Sequence, residues 1–130
     1  MTDFLFAYGT LQAAHAPRDI VPLLERMRYV GEGFIQGVLY DLGDYPGAVL
    51  DASPEQKVFG KVFELLDGEK TLSELDKYEE FDPCAISESL FVRELQPVVM
   101  ESGAILQSWI YLYNRDPGAA PVLMQGRYKE

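Results

Sequence analysis

Apolar residues recur along the chain in short runs separated by polar turns, a pattern typical of a small protein built mainly from β-strands. The first run, Phe4–Tyr8, is continuous and aromatic and predicts a buried central strand. Glycines interrupt the second run and favour bulges or sharp curvature there. The predicted strands are Phe4–Tyr8, Tyr29–Tyr40, Gly47–Leu50, Lys57–Leu65, Leu90–Met100 and Ala104–Tyr113.

Two segments have helical periodicity. Thr71 and Glu74 match the S/T-x-x-E capping box and predict a helix, Thr71–Glu79, that begins at Thr71. Apolar residues at helical spacing predict a second helix over Asp19–Arg26.

The connections between strands are short, and the three residues 101–103 include a glycine, which predicts an antiparallel hairpin. Strands joined so tightly cannot be parallel neighbours. We therefore predict an α+β fold with a single domain over residues 1–130. Its sheet is a mixed, mainly antiparallel small β-barrel of about six strands with two flanking helices.

The predicted helix Thr71–Glu79 carries an acid on the face expected to meet the core. At about 100° per residue, Leu75 lies roughly 300° and Glu79 roughly 340° around the helix axis from Leu72. Burial there would raise the pKa of the Glu79 carboxyl and make it a proton carrier near neutral pH. The pattern equally allows Glu79 to lie in the last turn and bend into solvent.

The first strand ends at Gly9, Thr10 and Leu11. Backbone N–H groups clustered in such a turn can hold a carboxylate or a polarised carbonyl oxygen. An ordinary strand-ending turn is the alternative that these residues leave open.

Composition narrows the possible partners. Of 130 residues 48% are hydrophobic, and the net charge of −10 argues against nucleic acid or an anionic membrane as the partner. No basic region precedes the first apolar run, and no run approaches the roughly 20 residues of a membrane span, so we expect a cytoplasmic protein.

Few residues could support metal or covalent chemistry. The chain has one cysteine, Cys84, and one histidine, His15, so it lacks a disulfide framework and the clustered ligands of a zinc site. Glu79, Glu80 and Asp82 lack the spacing of a calcium loop. No nucleophile elbow, phosphate-binding loop or dinucleotide fingerprint occurs, so we predict no metal and no cofactor.

Several segments together resemble the γ-glutamylcyclotransferase-like family, including its γ-glutamylamine cyclotransferase branch. The resemblance runs nearly end to end, and the order and spacing of the segments make it specific. The segments are Phe6–Leu11 (F-A-Y-G-T-L), Gly37–Gly47 (G-V-L-Y-D-L-G-D-Y-P-G), Val58–Leu65 (V-F-G-K-V-F-E-L), Leu75–Glu79 (L-D-K-Y-E), Phe91–Arg93 (F-V-R), Trp109–Asn114 (W-I-Y-L-Y-N) and Gly126–Tyr128 (G-R-Y).

The resemblance implies a 5-oxoproline-forming enzyme, an acyltransferase or lyase, whose substrate is a small γ-glutamyl amide, peptide or amine conjugate. Glu79 matches the family's catalytic glutamate and would act as general base and then general acid. The substrate-binding residues would be Tyr8, Gly9, Thr10, Leu11 and Tyr111.

The chain departs from the family pattern at two positions that bear on substrate choice. Glu80 follows Glu79 where the family usually has glycine, and Phe91 replaces a tyrosine. Two other functions stay open: a non-catalytic module that binds small ligands, and an amide hydrolase in which Glu79 activates water. The leaving amine and the oligomeric state are open as well.

Overall fold

The computed structural model describes residues 3–8, 25–43, 45–51, 55–79 and 81–127. Within these ranges lie six strands, one α-helix and a short 3-10 helix at Ile86–Glu88. The strands are β1 (Asp3–Ala7), β2 (Met27–Asp41), β3 (Pro46–Leu50), β4 (Lys57–Leu65), β5 (Phe91–Met100) and β6 (Ile105–Tyr113), and the helix is α1 (Gly68–Tyr78).

The strands form one sheet that closes on itself. Their order is β3-β2-β4-β1-β6-β5, and β2 also pairs with β5, so five strands make a ring and β3 extends from β2 outside it. β1 and β6 are parallel, whereas the other pairs are antiparallel. The prediction of a mixed, mainly antiparallel, barrel-like sheet is confirmed.

The predicted strand limits agree closely with the observed ones. Lys57–Leu65 is reproduced at both ends, and the other five strands are shifted by no more than two residues. The predicted hairpin joins β5 to β6, where the Met100 N–H donates to the Ala104 carbonyl at 2.8 Å. Gly103 in this turn has a φ of 91°, a backbone conformation that glycine adopts without a steric penalty.

The prediction that the helix begins at Thr71 is wrong. The helix α1 begins at Gly68, and its N-cap is Asp67, whose φ of 51° is left-handed. The Thr71 hydroxyl is fully buried and donates to the Leu66 carbonyl at 2.9 Å. The Glu74 carboxylate instead accepts a 2.5 Å hydrogen bond from Arg26.

One of the two predicted flanking helices is present among the described residues. The other, Asp19–Arg26, falls mostly outside them, and its last two positions form a turn. Within the described part of the chain, no helical segment has the length and apolar character that a transmembrane helix needs.

Glycines allow the strands to approach closely where the sheet curves. The register of β2 against β4 shifts between Tyr29 and Gly31, which confirms the predicted irregularity. A Cβ atom on Gly60 would lie 2.4 Å from the Ala7 carbonyl oxygen. Any larger residue at this position would push β4 away from β1.

Buried side chains form two clusters on opposite faces of the sheet. The inner core comprises Phe6, Tyr8, Ile35, Leu39, Ala48, Val58, Val62, Val98, Met100, Ile110 and Leu112. The helix-covered core comprises Leu5, Ala7, Phe63, Leu65, Leu72, Leu75, Phe91 and Tyr111. Successive β1 side chains alternate between the two clusters, and because both faces of β1 are buried its sequence is continuously apolar.

Residues 121–126 follow the edges of β2 and β4. The Asp41 N–H donates to the Pro121 carbonyl, and the Leu123 N–H donates to the Leu39 carbonyl, each at 2.8 Å. Further along, the Phe59 N–H donates to the Gly126 carbonyl at 2.8 Å. This segment satisfies strand-edge groups that would otherwise be unpaired.

Candidate active site

Two of the residues proposed from the sequence meet at the end of β1, where the Tyr8 hydroxyl donates to the Tyr111 carbonyl, and a third, Glu79, ends the helix. Tyr8 follows β1 directly, Glu79 is the C-cap of α1, and Tyr111 lies in β6. Burial raises the pKa of the Tyr8 hydroxyl above its ordinary value, and the negative charge of Glu79 raises it further. Burial and the hydrogen bond to Asp76 raise the pKa of Tyr111, and the charge of Glu79 adds a smaller increase. The Glu79 charge therefore reaches both tyrosines, although their side chains belong to different clusters, since Tyr8 packs in the inner core and Tyr111 in the helix-covered core.

Glu79 lies at the boundary between core and solvent. The helix ends at Tyr78, and the Glu79 N–H still donates to the Leu75 carbonyl at 2.9 Å. The residue is half-buried. Glu79 is therefore neither fully buried nor fully exposed, and it lies between the core-facing and the solvent-facing orientations that the sequence left open.

The hydroxyl of Tyr8 connects two strands. It donates to the Tyr111 carbonyl at 2.5 Å and accepts from the Ala48 N–H at 3.2 Å. A hydroxyl has a single proton. The Tyr8 proton is therefore used within the protein, and its oxygen can act toward a ligand only as an acceptor.

The structure adds two charged residues that the sequence reasoning did not place in the site, Asp76 and Arg93. Asp76 is only 6% exposed. Its Oδ1 accepts from Arg93 Nε at 2.8 Å, and its Oδ2 accepts from Arg93 Nη2 at 3.1 Å. The Tyr111 hydroxyl also donates to Asp76 Oδ1, at 2.6 Å.

Both residues had a signal in the sequence. At about 100° per residue, Asp76 lies roughly 40° from Leu72, on the same buried arc as Leu75 and Glu79. Arg93 belongs to the F-V-R segment, and in the sheet it stands directly opposite Tyr111. What the sequence did not reveal is that these two residues meet each other.

Aromatic rings hold Arg93 in place. Its guanidinium lies 4.5 Å from the centre of the Trp109 ring and 5.9 Å from that of Phe81. Such cation–π contacts suit a guanidinium that also forms a forked pair with a carboxylate. Arg93 is thereby fixed as the partner of Asp76.

Phe91, which stands where the family has a tyrosine, lies in the helix-covered core. Phe91 is buried, and its ring centre is 5.8 Å from that of Tyr45 and 5.7 Å from that of Tyr113. This position therefore contributes an apolar aromatic surface beside the site.

Several predicted residues lie outside the described part of the chain. They are Gly9, Thr10 and Leu11, which follow Tyr8 directly in sequence, together with His15 and Glu80. Cys84 is described and is exposed. Among the described residues, no three carboxylate, imidazole or thiolate side chains lie together in a group that could hold a metal ion.

Comparison with known sequences gives two strong matches. The sequence model of the family described as "Gamma-glutamyl cyclotransferase, AIG2-like" matches residues 5–130. A curated relative from Niallia circulans, gamma-L-glutamyl-butirosin B gamma-glutamyl cyclotransferase, is 36% identical over 116 residues. That alignment covers 86% of this chain and 67% of the relative.

Solved structures share the fold. An AIG2-like protein from Mus musculus superposes with a TM-score of 0.76 at 20% identity, covering 98% of this chain and 88% of the mouse chain. YkqA from Bacillus subtilis superposes with a TM-score of 0.73 at 22% identity over 98% of this chain. This chain spans 40% of the YkqA chain.

Proposed function

Because this chain belongs to the gamma-glutamyl cyclotransferase, AIG2-like family, we propose that it converts a small γ-glutamyl compound into 5-oxoproline and a free amine or amino acid. The observation that supports this most directly is geometric. Glu79 directly follows α1, whose Asp76 accepts from the Tyr111 hydroxyl, and the Tyr111 carbonyl accepts from the hydroxyl of Tyr8, which precedes Gly9 in the sequence.

The proposed reaction is a rearrangement within the substrate. Glu79 removes a proton from the α-ammonium group, and the resulting amine attacks the γ-carbonyl carbon. A new C–N bond closes the five-membered lactam, and the ring nitrogen then gives up a second proton. Glu79 carries the two protons in turn to the leaving nitrogen, whose bond to the carbonyl carbon breaks, so that it departs as an ammonium ion. Atoms balance without water, cofactor or second substrate. Holding the nucleophile folded against its target supplies the proximity contribution.

The two tyrosines do not compete with Glu79 for this proton. Burial raises the pKa of both hydroxyls above the ordinary value of about 10, so both stay neutral at physiological pH. A carboxylate held against an amine can accept a proton from it and return the proton to a leaving nitrogen. The role of general base and general acid therefore belongs to Glu79.

Tyr8 and Tyr111 would bind the substrate, and so would the backbone N–H groups of Gly9, Thr10 and Leu11. The proximity of Tyr8 to the Glu79 charge supports this arrangement, because Gly9 is bonded to Tyr8. Amide groups in a turn suit an oxygen that becomes negative as the carbonyl is attacked.

Substitution of Glu79 by glutamine tests the proposal. We expect Glu79→Gln to lower the rate of 5-oxoproline release by about 10²–10⁴-fold or more, since the proton carrier is lost while the shape is kept. The matched control is Glu69→Gln, an exposed acid in the first turn of the same helix, which should keep the wild-type rate. Substrates are γ-glutamyl amides of amino acids and of amines, including the γ-glutamyl-butirosin B named for the Niallia relative.

The product identifies the reaction. Normal 5-oxoproline release by Glu79→Gln would refute the assignment of the general base. Release of free glutamate by the wild-type protein would indicate a hydrolase instead. Binding of γ-glutamyl compounds without turnover would indicate a non-catalytic binding module.

A further inference from the structure

The backbone around Glu79 is tied back to Asp76. The helix α1 ends at Tyr78, and the Glu79 N–H donates to the Leu75 carbonyl at 2.9 Å. Further along, the Phe81 N–H turns back and donates to the Asp76 carbonyl at 2.8 Å. Glu79 therefore lies between two residues, Asp76 before it and Phe81 after it, whose backbones are bonded to each other.

Arg93 of β5 contacts both of these residues. Its Nε and Nη2 donate to the two carboxylate oxygens of Asp76 at 2.8 and 3.1 Å, and its guanidinium lies 5.9 Å from the centre of the Phe81 ring. The guanidinium also lies 4.5 Å from the centre of the Trp109 ring, and the Trp109 Nε1–H donates to the Asp3 carboxylate at 3.3 Å. Arg93 is thus held against the sheet and contacts the chain on either side of Glu79.

The pair between Arg93 and Asp76 sets an orientation more than it adds stability. Asp76 is 6% exposed and the Arg93 side chain 18%, so both charges have lost most of their water. Removing such a pair from water is costly, and apolar residues of similar volume are often as stable. A forked guanidinium–carboxylate pair does fix the relative position of the two groups that it joins. Here it fixes the last turn of α1 against β5.

We propose that Arg93 is a positioning residue, which through Asp76 and Phe81 holds the backbone of Glu79 in place beside the sheet. The inference rests on the proposed function, since it takes Glu79 as the proton carrier. Proton transfer needs the two partners within hydrogen-bond reach, and a displacement of about 1 Å can cost about 10²-fold in rate. Loosening this attachment therefore slows the chemical step and leaves the groups that bind the substrate in place.

Arg93→Lys tests the inference, because lysine keeps the charge but lacks the planar fork that meets both oxygens of Asp76. With a γ-glutamyl amide as substrate, we expect kcat for 5-oxoproline release to fall by about 10- to 100-fold and KM to stay within about threefold. The matched control is Arg26→Lys, since Arg26 pairs with Glu74 of the same helix. That pair is partly exposed, so its kcat should stay within about twofold of wild type.

Amide hydrogen exchange shows whether the effect is local to Glu79. Arg93→Lys should speed exchange of the Glu79 and Phe81 amides by about tenfold or more, as for a lost hydrogen bond to a charged group. The Thr71 N–H donates to the Asp67 carbonyl at 3.0 Å near the start of the same helix. Its exchange should stay within about twofold of wild type. A general loss of stability would instead speed exchange at all three amides alike.

Asp76→Asn gives the same test from the other side of the pair, because it removes the charge and keeps the shape. The double variant with Arg93→Lys should lose no more than about twofold in kcat beyond the larger single effect, since the two residues act as one unit. If Arg93→Lys does not fold, the kcat, KM and exchange rates of Asp76→Asn decide the question. If neither variant folds, the pair serves stability and the inference is overturned.

Distinct results overturn the inference and the proposed function. An unchanged kcat in Arg93→Lys, a KM that rises as far as kcat falls, an equal loss of kcat in Arg26→Lys, or equally faster exchange at Thr71 would overturn the inference alone. Absence of 5-oxoproline release from any γ-glutamyl amide by the wild-type protein would overturn the proposed function. The exchange rates would then decide: faster exchange confined to the Glu79 and Phe81 amides would uphold the role of Arg93 in holding Glu79, and unchanged exchange would overturn it.

Discussion

The two cores share β1 but bury different chemistry. Among the described members of the inner core, the Tyr8 hydroxyl is the one hydrogen-bonding side-chain group. The helix-covered core instead adjoins a buried carboxylate, Asp76, and the guanidinium of Arg93. Every buried polar side-chain atom in the described part of the chain has a hydrogen-bond partner.

This difference suggests that the two cores contribute differently to the stability of the fold and to the geometry of the candidate site. An apolar cluster stabilises the fold in proportion to the surface it buries and tolerates changes that keep its volume. A buried ion pair adds little net stability, but it constrains the direction of each group in it. The inner core therefore stabilises the ring and supplies Tyr8, whereas the helix-covered core sets the positions of Glu79 and Tyr111.

The largest effect is expected for Leu75→Ala in the helix-covered core. Leu75 is fully buried, and its carbonyl accepts the Glu79 N–H. Truncation should lower the free energy of unfolding by about 2–5 kcal/mol. It should also lower kcat/KM by about tenfold or more, because small displacements of a catalytic group are costly. Urea unfolding and initial rates under folding conditions measure the two effects, and an unchanged kcat/KM would contradict the separation.

A smaller total effect is expected for Ile35→Ala in the inner core. Ile35 is 3% exposed and lies opposite Val58, so the loss of stability should again be about 2–5 kcal/mol. The kcat/KM of the folded variant should stay within about twofold of wild type. Ile105→Ala, at a position that is 62% exposed, is the matched control and should change stability by about 0.5 kcal/mol or less. A large loss of activity in folded Ile35→Ala would show that the inner core also sets the site.

The smallest effect concerns the hydroxyl that joins the cores, and it depends on pH. The pKa of Tyr8 is raised in the folded state by burial and then by Glu79. The neutral hydroxyl therefore contributes its full stability below the unfolded pKa of about 10, and this contribution is lost as the pH rises further. The wild-type protein should lose about 1.4 kcal/mol more than Tyr8→Phe by pH 11. Urea unfolding of both proteins at pH 8 and pH 11 measures this, and a constant difference would contradict it.

Strands could be predicted from the sequence because their signals are local. β1 has apolar residues on both faces, and Lys57–Leu65 alternates between turns, so each segment reveals its own state. The closure of the ring could not be predicted in this way. The parallel pairing of Leu5 with Trp109 and the pairing of Gly33 with Met100 join residues distant in sequence, and no turn fixes their register.

The site residues also differ in whether a local signal in the sequence reveals them. Glu79 stands out because an acid on an apolar helical arc is a local anomaly, and the family resemblance supports it. Asp76 lies on that arc too, but its importance depends on Arg93 from β5 and Tyr111 from β6. The capping box failed for a related reason, because the buried Thr71 hydroxyl bonds the Leu66 carbonyl and α1 starts at Gly68.

The parallel contact between β1 and β6 has a consequence for synthesis on the ribosome. β1 is synthesised before β6, and this neighbour in the sheet is completed only at Tyr113. Until then the nascent chain presents an unpaired edge of β1, which other chains can pair with. Such distant pairing also slows folding after release. A cell that makes this protein must keep β1 from aggregating until β6 has emerged from the ribosome.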